Sequence, residues 1–438
     1  MSWLAGSAAL LVLGVGGVGA WVYKDLDNNI TGADVDGKLG GDRPVNLSPG
    51  SKNIMVVGSD SRDGANARYG GDGLTTMQSD TLMVLHVPAN REWATVVSFP
   101  RDSWVEISAC DKGDGSTSSP HLAKINEAFA IGGASGEVAG AAACSIRTVE
   151  ENTGLRIDSF MSVDFQGFKG MVDALDGIEV CPEQAIKDKK ARLDMEAGCQ
   201  TVEGEKALGY VRTRYAVGDG SDIGRIGRQQ EFMEALAAKA KSKLTSPTSL
   251  YDFLQSATKS LTTDEDLAGI DPLYDLASEL KGIPSDRLTF LTVPNYPREA
   301  DVPTDKANIV WQYPQAADLF TSLAKDKEVD KKRLQAQAKN DLVYASAVRV
   351  QVLNGTGVTG RAGAVAEKLR EAGFTVVGTG NAPENTDETT VAYPADLTQQ
   401  AKVLTSRLPD TRATRSADAA AGVVTLVVGP DLDLEELR

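Results

Sequence analysis

Three short runs of apolar, β-branched residues lie close together early in the chain: IMVVG (Ile54 to Gly58), TLMVLHV (Thr81 to Val87) and ATVVSF (Ala94 to Phe99). Each is bounded by turn formers, which predicts central strands covered on both faces. The spacing then becomes helical. Glu137 to Thr153 ends at Gly154, and in Phe165 to Leu175 the residues Phe168, Met171, Val172 and Leu175 share one side ahead of Gly177. Gln229 to Leu244 repeats the pattern, with Phe232, Leu236, Ala240 and Leu244 in register at i+4.

This order predicts an α/β fold: a three-layer α/β/α domain with a central mixed sheet, running from about Pro49 to Leu244. Helical patterns and one strand-like run, Leu288 to Pro294, extend it to Ala324, so the domain spans residues 51–324. Residues 325–345 are charged and Gln/Ala-rich without an apolar stripe, and read as a linker or an exposed helix. In residues 346–438, Val348, Val350 and Val352 alternate with polar neighbours. A helix at Arg361 to Ala372, the runs FTVVG and TTVAYP, a helix near Leu397 to Leu408 and VVTLVVG follow. That order is βαββαβ, a small C-terminal α/β domain.

Ahead of the first strand, Trp3 to Tyr23 is an uncharged run of the length a bilayer requires. Of a membrane anchor and an export signal, residues 1–23 are expected to be the anchor, with the rest of the chain outside the cytoplasm and residues 24–50 a spacer rich in Asp, Gly, Asn and Pro. Gly14, Gly16 and Gly19 form a GxGxxG inside the apolar run, where no βαβ unit exists to make it a dinucleotide site. An exported chain with four cysteines and no CxxC favours two disulfides. Of the three pairings open to them, Cys110 with Cys144 and Cys181 with Cys199 is preferred.

Charge narrows the function. The 438 residues carry a formal net charge of −16 with a pI near 4.7, which argues against nucleic acid as a partner. With two histidines and no G-x-S-x-G, neither a Ser-His-Asp nor a Cys-His site is available. Against this acidic background the segment Leu208 to Phe232 gathers Arg212, Arg214, Arg225 and Arg228. If Tyr210 to Tyr215 is extended, Arg212 and Arg214 leave one face of a strand. A helix starting near Ser221 or Asp222 then puts Asp222, Arg225 and Gln229 on one stripe with Arg228 beside it. Guanidinium groups in that number suit a phosphate-rich ligand. Asp60 and Asp80 stand at neighbouring strand ends, as Mg²⁺ ligands do, with Arg101 after the third strand and Lys124 heading a helix.

NIMVVGSDSR, QSDTLMVL, VVSFPRDSWVEI, KINEAFAIGG, FQGFKGMVDALDGIEV and ALGYVRTRY followed by DIGRIGRQQ resemble, in order and wording, the LytR-CpsA-Psr family of cell-wall assembly enzymes over about Asn53 to Leu244. Ser346 to Pro430 resembles the small C-terminal domain that some members carry. The resemblance implies a membrane-anchored, Mg²⁺-dependent (or Mn²⁺-dependent) phosphotransferase that moves a glycopolymer from a polyprenyl diphosphate carrier onto peptidoglycan. By motif, Asp60 and Asp80 would hold the metal, and Arg62, Arg101, Arg212, Arg214, Arg225, Arg228 and Gln229 the diphosphate. Arg101, Arg225, Lys124 and Asp222 would act in catalysis, Asp222 as the base or as the residue that orients Arg225. Met161, Val163, Phe165, Phe168, Met171, Val172 and Leu175 are candidates for a lipid groove. A lipid-diphosphate pyrophosphatase and a non-catalytic wall-binding or regulatory module are the alternatives.

Overall fold

The computed structural model describes residues 23–59, 77, 79–213, 222–243, 247–408, 411–417 and 419–434, without the side chains of 222–226 and 247–250. The expected anchor, but for its last residue Tyr23, lies outside these residues. Among the described residues no helix is long and apolar enough to cross a membrane.

Seven strands form the central sheet: β1 (Thr31–Ala33), β2 (Lys52–Ser59), β3 (Ser79–Val87), β4 (Ala94–Phe99), β5 (Ser159–Asp164), β6 (Leu261–Asp264) and β7 (Leu288–Thr292). Their spatial order is β1-β6-β5-β2-β3-β4-β7. β2 runs parallel to β5 and antiparallel to β3, while β4 runs antiparallel to β3 and parallel to β7, so the sheet is mixed. The longer helices that accompany it are α1 (Val138–Thr153), α2 (Phe165–Ala174), α3 (Gly204–Arg212), α4 (Asp222–Lys243), α5 (Pro247–Thr258), α6 (Ile270–Gly282), α7 (Gln315–Ala324) and α8 (Lys331–Asn340).

Alternation along the strands decides which face each side chain covers. Met55, Val57, Leu82, Val84, Val97 and Phe99 meet α1 and α7 in the main core, whereas Ile54, Val56 and Leu85 meet α6 on the opposite face. Full burial of residues such as Ile54, Met55 and Phe160 stabilises by roughly 1.5–3 kcal/mol each. The three layers expected of the sequence are therefore present. Met161 packs in the smaller cluster with Ile54 and Leu276.

A third cluster joins α2, α3 and α4 to an excursion in which Ile178–Val180 pairs with Gln200–Val202 and Ile186–Asp188 with Leu193–Met195. The Cys181–Cys199 disulfide closes this excursion, and Cys110–Cys144 ties the chain after β4 to α1. The FQGFKG motif has a packing reason. A Cβ on Gly167 would lie 2.3 Å from that of Ser260, and one on Gly170 would lie 2.9 Å from that of Ser256, so only glycine lets α2 approach α5 this closely.

One expectation needs correcting. The spacer is folded: it contributes β1 and buries Leu26, Val35 and Leu39, and Arg43 Nη2 lies 2.6 Å from the buried Glu150. Its apolar residues are too sparse to show a period. Of the two readings of residues 325–345, the exposed helix holds: α8 is anchored by Leu334 in the main core and by Gln312 Nε2 donating to Ala338 O.

The C-terminal domain comprises β8 (Arg349–Asn354), α9 (Arg361–Glu371), β9 (Thr375–Asn381), β10 (Thr390–Tyr393), α10 (Thr398–Thr405), β11 (Arg412–Arg415) and β12 (Val424–Val428). Its sheet order is β9-β8-β12-β10-β11. The expected βαββαβ order therefore gains β11, an edge strand exposed at all four residues, RATR, with no buried side to leave an apolar signal. Ser346 N donating to Asp301 Oδ1 and Arg407 stacked 4.2 Å from the Tyr313 ring centroid join this domain to the rest.

Candidate active site

A cavity of about 390 Å³ lies between the face of the sheet carrying Val56, Met83 and Val163 and the helices α2, α3 and α4. Its polar wall starts at the sheet. Asp80, the second residue of β3, accepts a hydrogen bond from Arg101 Nη1, two residues past β4. Arg101 Nε is buried and, among the described residues, bonds no acceptor, a donor that a ligand or water could take up.

Arg212 reaches the same cavity from a helix. The expected strand Tyr210 to Tyr215 is replaced, over its described part, by the end of α3, with Arg212 as the last helical residue. β-branched and aromatic residues favour extension there, but Ala207 and Tyr210 lie three apart and bury in the third cluster, and this packing overrides local propensity. The Arg212 guanidinium lies 4.6 Å from the centroid of the Phe165 ring, within cation–π range. α4 does begin at Asp222, and its Gln229 lines the cavity while donating from Nε2 to Val211 O at 3.0 Å.

Asp80, Arg101, Arg212, Gln229, Val163, Phe165, Phe168 and Met171 thus share one cavity. Other expected members do not line it. Lys124 ends a strand, His121–Lys124, rather than heading a helix, and its Nζ contacts Asp102 Oδ1 at 2.6 Å and Ala307 O at 3.1 Å. It supports Arg101 from behind, since Asp102 Oδ1 is also 3.9 Å from Arg101 Nε. Arg228 is buried and donates from Nη2 to Thr213 O at 2.7 Å, and its burial pushes its pKa down. Val172 and Leu175 are fully buried in the third cluster, as core rather than groove. Asp60, Arg62 and Arg214 lie outside the described residues, as do the side chains of Asp222 and Arg225.

The cavity also holds residues that the sequence reading did not assign to the site: Asp164, Asp188, Lys190, Gln230, Met233 and Leu236. Asp164 caps α2, accepting Gly167 N at 2.8 Å, and the D-x-x-G spacing ahead of a helix was its available signal. Asp188 and Lys190 sit in the run KDKKAR, whose charges give no hint of direction.

Asp80 offers the hard oxygen donor that Mg²⁺ takes, and one or two carboxylates with water and phosphate make a usual Mg²⁺ shell. Among the described residues no group of three His, Cys, Asp or Glu side chains is placed to hold a metal. Asp80 is the one expected metal ligand among the described residues, and its carboxylate is an oxygen donor of the kind Mg²⁺ would accept.

Residues 22–327 match the LytR_cpsA_psr family, and residues 347–432 match the family described as LytR cell envelope-related transcriptional attenuator. The chain is 35% identical over 284 residues to the probable cell wall biosynthesis protein LcpB of Corynebacterium glutamicum, a match covering 62% of this chain and 60% of that protein. It is 29% identical over 297 residues to the polyisoprenyl-teichoic acid–peptidoglycan teichoic acid transferase TagT of Bacillus subtilis, covering 65% of this chain and 84% of TagT. In fold it is similar to a LytR-Csp2A-Psr enzyme from Actinomyces oris, with a TM-score of 0.50, 17% identity, and 67% of this chain and 95% of that one covered.

Proposed function

The chain belongs to the LytR-CpsA-Psr family, and from that premise we propose that it transfers a cell-wall glycopolymer from a polyprenyl diphosphate carrier to peptidoglycan. One observation carries the reading: Arg101 and Arg212 lie in the polar part of a cavity whose apolar wall includes Phe165, Phe168, Met171, Met233 and Leu236. An amphiphile with an anionic head and an apolar tail matches that division. The naming of TagT as a transferase from a polyisoprenyl carrier supports the same reading.

Arg101 and Arg212 would grip the diphosphate, with Arg62, Arg214 and Arg225 joining them and Gln229 and Lys124 in support. A hydroxyl of the peptidoglycan sugar attacks the phosphorus nearer the glycan, the bond from that phosphorus to the bridging oxygen breaks, and polyprenyl phosphate leaves. The hydroxyl proton passes to a base, assigned to Asp222. Such transfer needs positioning and charge neutralisation more than covalent help. A Mg²⁺ or Mn²⁺ ion held by Asp80 and Asp60 would neutralise phosphoryl charge. The Trp3 to Tyr23 segment would anchor the chain beside its lipid carrier, with the cavity on the outer side of the membrane.

The test supplies labelled carrier-linked glycan with and without peptidoglycan. Label appearing on peptidoglycan only with active enzyme supports transfer. Phosphate-capped glycan released at the same rate with or without acceptor makes the protein a pyrophosphatase, and an unchanged carrier makes it a binding module.

A further inference from the structure

Asp188 places a carboxylate in the wall of a cavity read here as an anion site, where a like charge opposes the ligand. Its surroundings give a reason. The residue ends the strand Ile186–Asp188 of the excursion and is 7% exposed. Oδ1 accepts the backbone N–H of Lys190 at 2.9 Å and of Ala191 at 3.0 Å, and Oδ2 accepts the Thr213 hydroxyl at 2.7 Å. Those bonds turn both oxygens toward Thr213 and the local backbone.

Thr213 is fully buried and follows the last residue of α3, where backbone carbonyls lose their helical partners. Two carbonyls there are taken up by α4: Val211 O by Gln229 Nε2 at 3.0 Å, and Thr213 O by Arg228 Nη2 at 2.7 Å. Arg212 lies between them, so α4 holds its backbone on both sides. The Asp188 bond to the Thr213 side chain adds a tie from a third element. Three separate pieces of chain meet at the residue after Arg212, whose side chain spans to Phe165 on α2.

We propose that Asp188 is a positioning residue for the phosphate-binding arginines, acting through the Thr213 hydroxyl to fix Arg212 over Phe165. The inference rests on reading the cavity as a diphosphate site, but its geometry can be tested without substrate. Aromatic ring currents displace the resonances of a guanidinium held over a ring, so the Arg212 Nε–H signal of the full-length protein reports the arrangement directly.

Three variants are compared with wild type by that signal and by turnover of carrier-linked glycan: Thr213→Val, which keeps shape but removes the hydroxyl, Thr213→Ser, which restores it, and Asp188→Ala. In Thr213→Val and Asp188→Ala the signal should move toward that of a free arginine and kcat should fall about tenfold, with KM changed less than threefold. Thr213→Ser should stay within twofold of wild type by both measures. Loss of stability alone would move neither the Arg212 signal of folded protein nor its rescue by serine. An unmoved Arg212 signal in both Thr213→Val and Asp188→Ala overturns the proposal. A wild-type protein inert toward the carrier defeats the functional reading instead, while the signal still decides the positioning role.

Discussion

Asp80 and Arg101 are opposed by strand register. Leu82 pairs with Phe99 and Met83 with Ser98, so continuing the antiparallel ladder of β3 and β4 sets Asp80 across from Arg101, and Arg101 Nη1 donates to Asp80 Oδ1. Two residues separated along the chain become one polar corner at the ends of adjacent strands. That corner faces the cavity, with Arg101 held in the turn after β4 and backed by Asp102 and Lys124.

Removing the carboxylate's charge while keeping its shape should separate chemistry from folding. Asp80→Asn is expected to lower kcat about 100-fold, the scale of one preorganised electrostatic contact, and to shift the unfolding temperature by only a few degrees. Chelation should likewise stop wild-type turnover and added Mg²⁺ restore it, with Asp80→Asn needing more metal for half-maximal rate. Steady-state kinetics against Mg²⁺ concentration, alongside thermal melts, check both statements.

The apolar wall predicts a dependence on tail length. Met171 and Met233 line the cavity from α2 and α4. Replacing either with alanine removes about 2 kcal/mol of apolar contact, so affinity for a long-chain diphosphate should fall roughly 30-fold. Affinity for inorganic pyrophosphate should stay unchanged. Calorimetric titration of both ligands makes the comparison.

The disulfides should contribute stability unequally. Cys110–Cys144 spans 34 residues and Cys181–Cys199 spans 18. On the loop-entropy account these stabilise by about 4 and about 3 kcal/mol. Cys-to-Ser pairs measured by denaturant unfolding should follow that order. The second pair should also weaken turnover, because it closes the excursion that carries Asp188.

Asp264 supplies a pH dependence unrelated to catalysis. It accepts Phe160 N at 2.6 Å and Leu267 N at 3.1 Å, and burial pushes its carboxyl up to about 6. A raised carboxyl pKa means that the native state favours the protonated form. Its contribution is therefore complete below about pH 4, the unfolded value, and is lost as pH rises toward 6. Asp264→Asn should flatten the stability profile between those limits, even if its overall stability is lower. Unfolding temperatures measured from pH 4 to 7 would show it.

How far the sequence spoke depended on whether a residue's neighbours were local. Ile54 to Gly58 and Ala94 to Phe99 are short, largely apolar runs rich in β-branched residues and covered on both faces, and they read correctly as strands. Arg212 did not, because YVRTRY favours extension locally while the burial of Ala207 and Tyr210 against the excursion bends the chain into a helix. Lys124 misled for a related reason: the helical pattern is real but starts at Glu127, three residues later. Arg228 looked like one more cation on a ligand-facing stripe, yet its partner, Thr213 O, is a backbone group that no side-chain pattern reveals. Asp188 was hidden by its charged neighbours, since only the hairpin turns it toward Thr213.

The most direct measurement is an electron-density map of the protein crystallised with a polyprenyl diphosphate. The account predicts phosphate oxygens within hydrogen-bonding distance of Arg101 and Arg212, and the chain running past Phe168, Met171 and Leu236. A diphosphate bound elsewhere, with solvent alone filling this cavity, would contradict it.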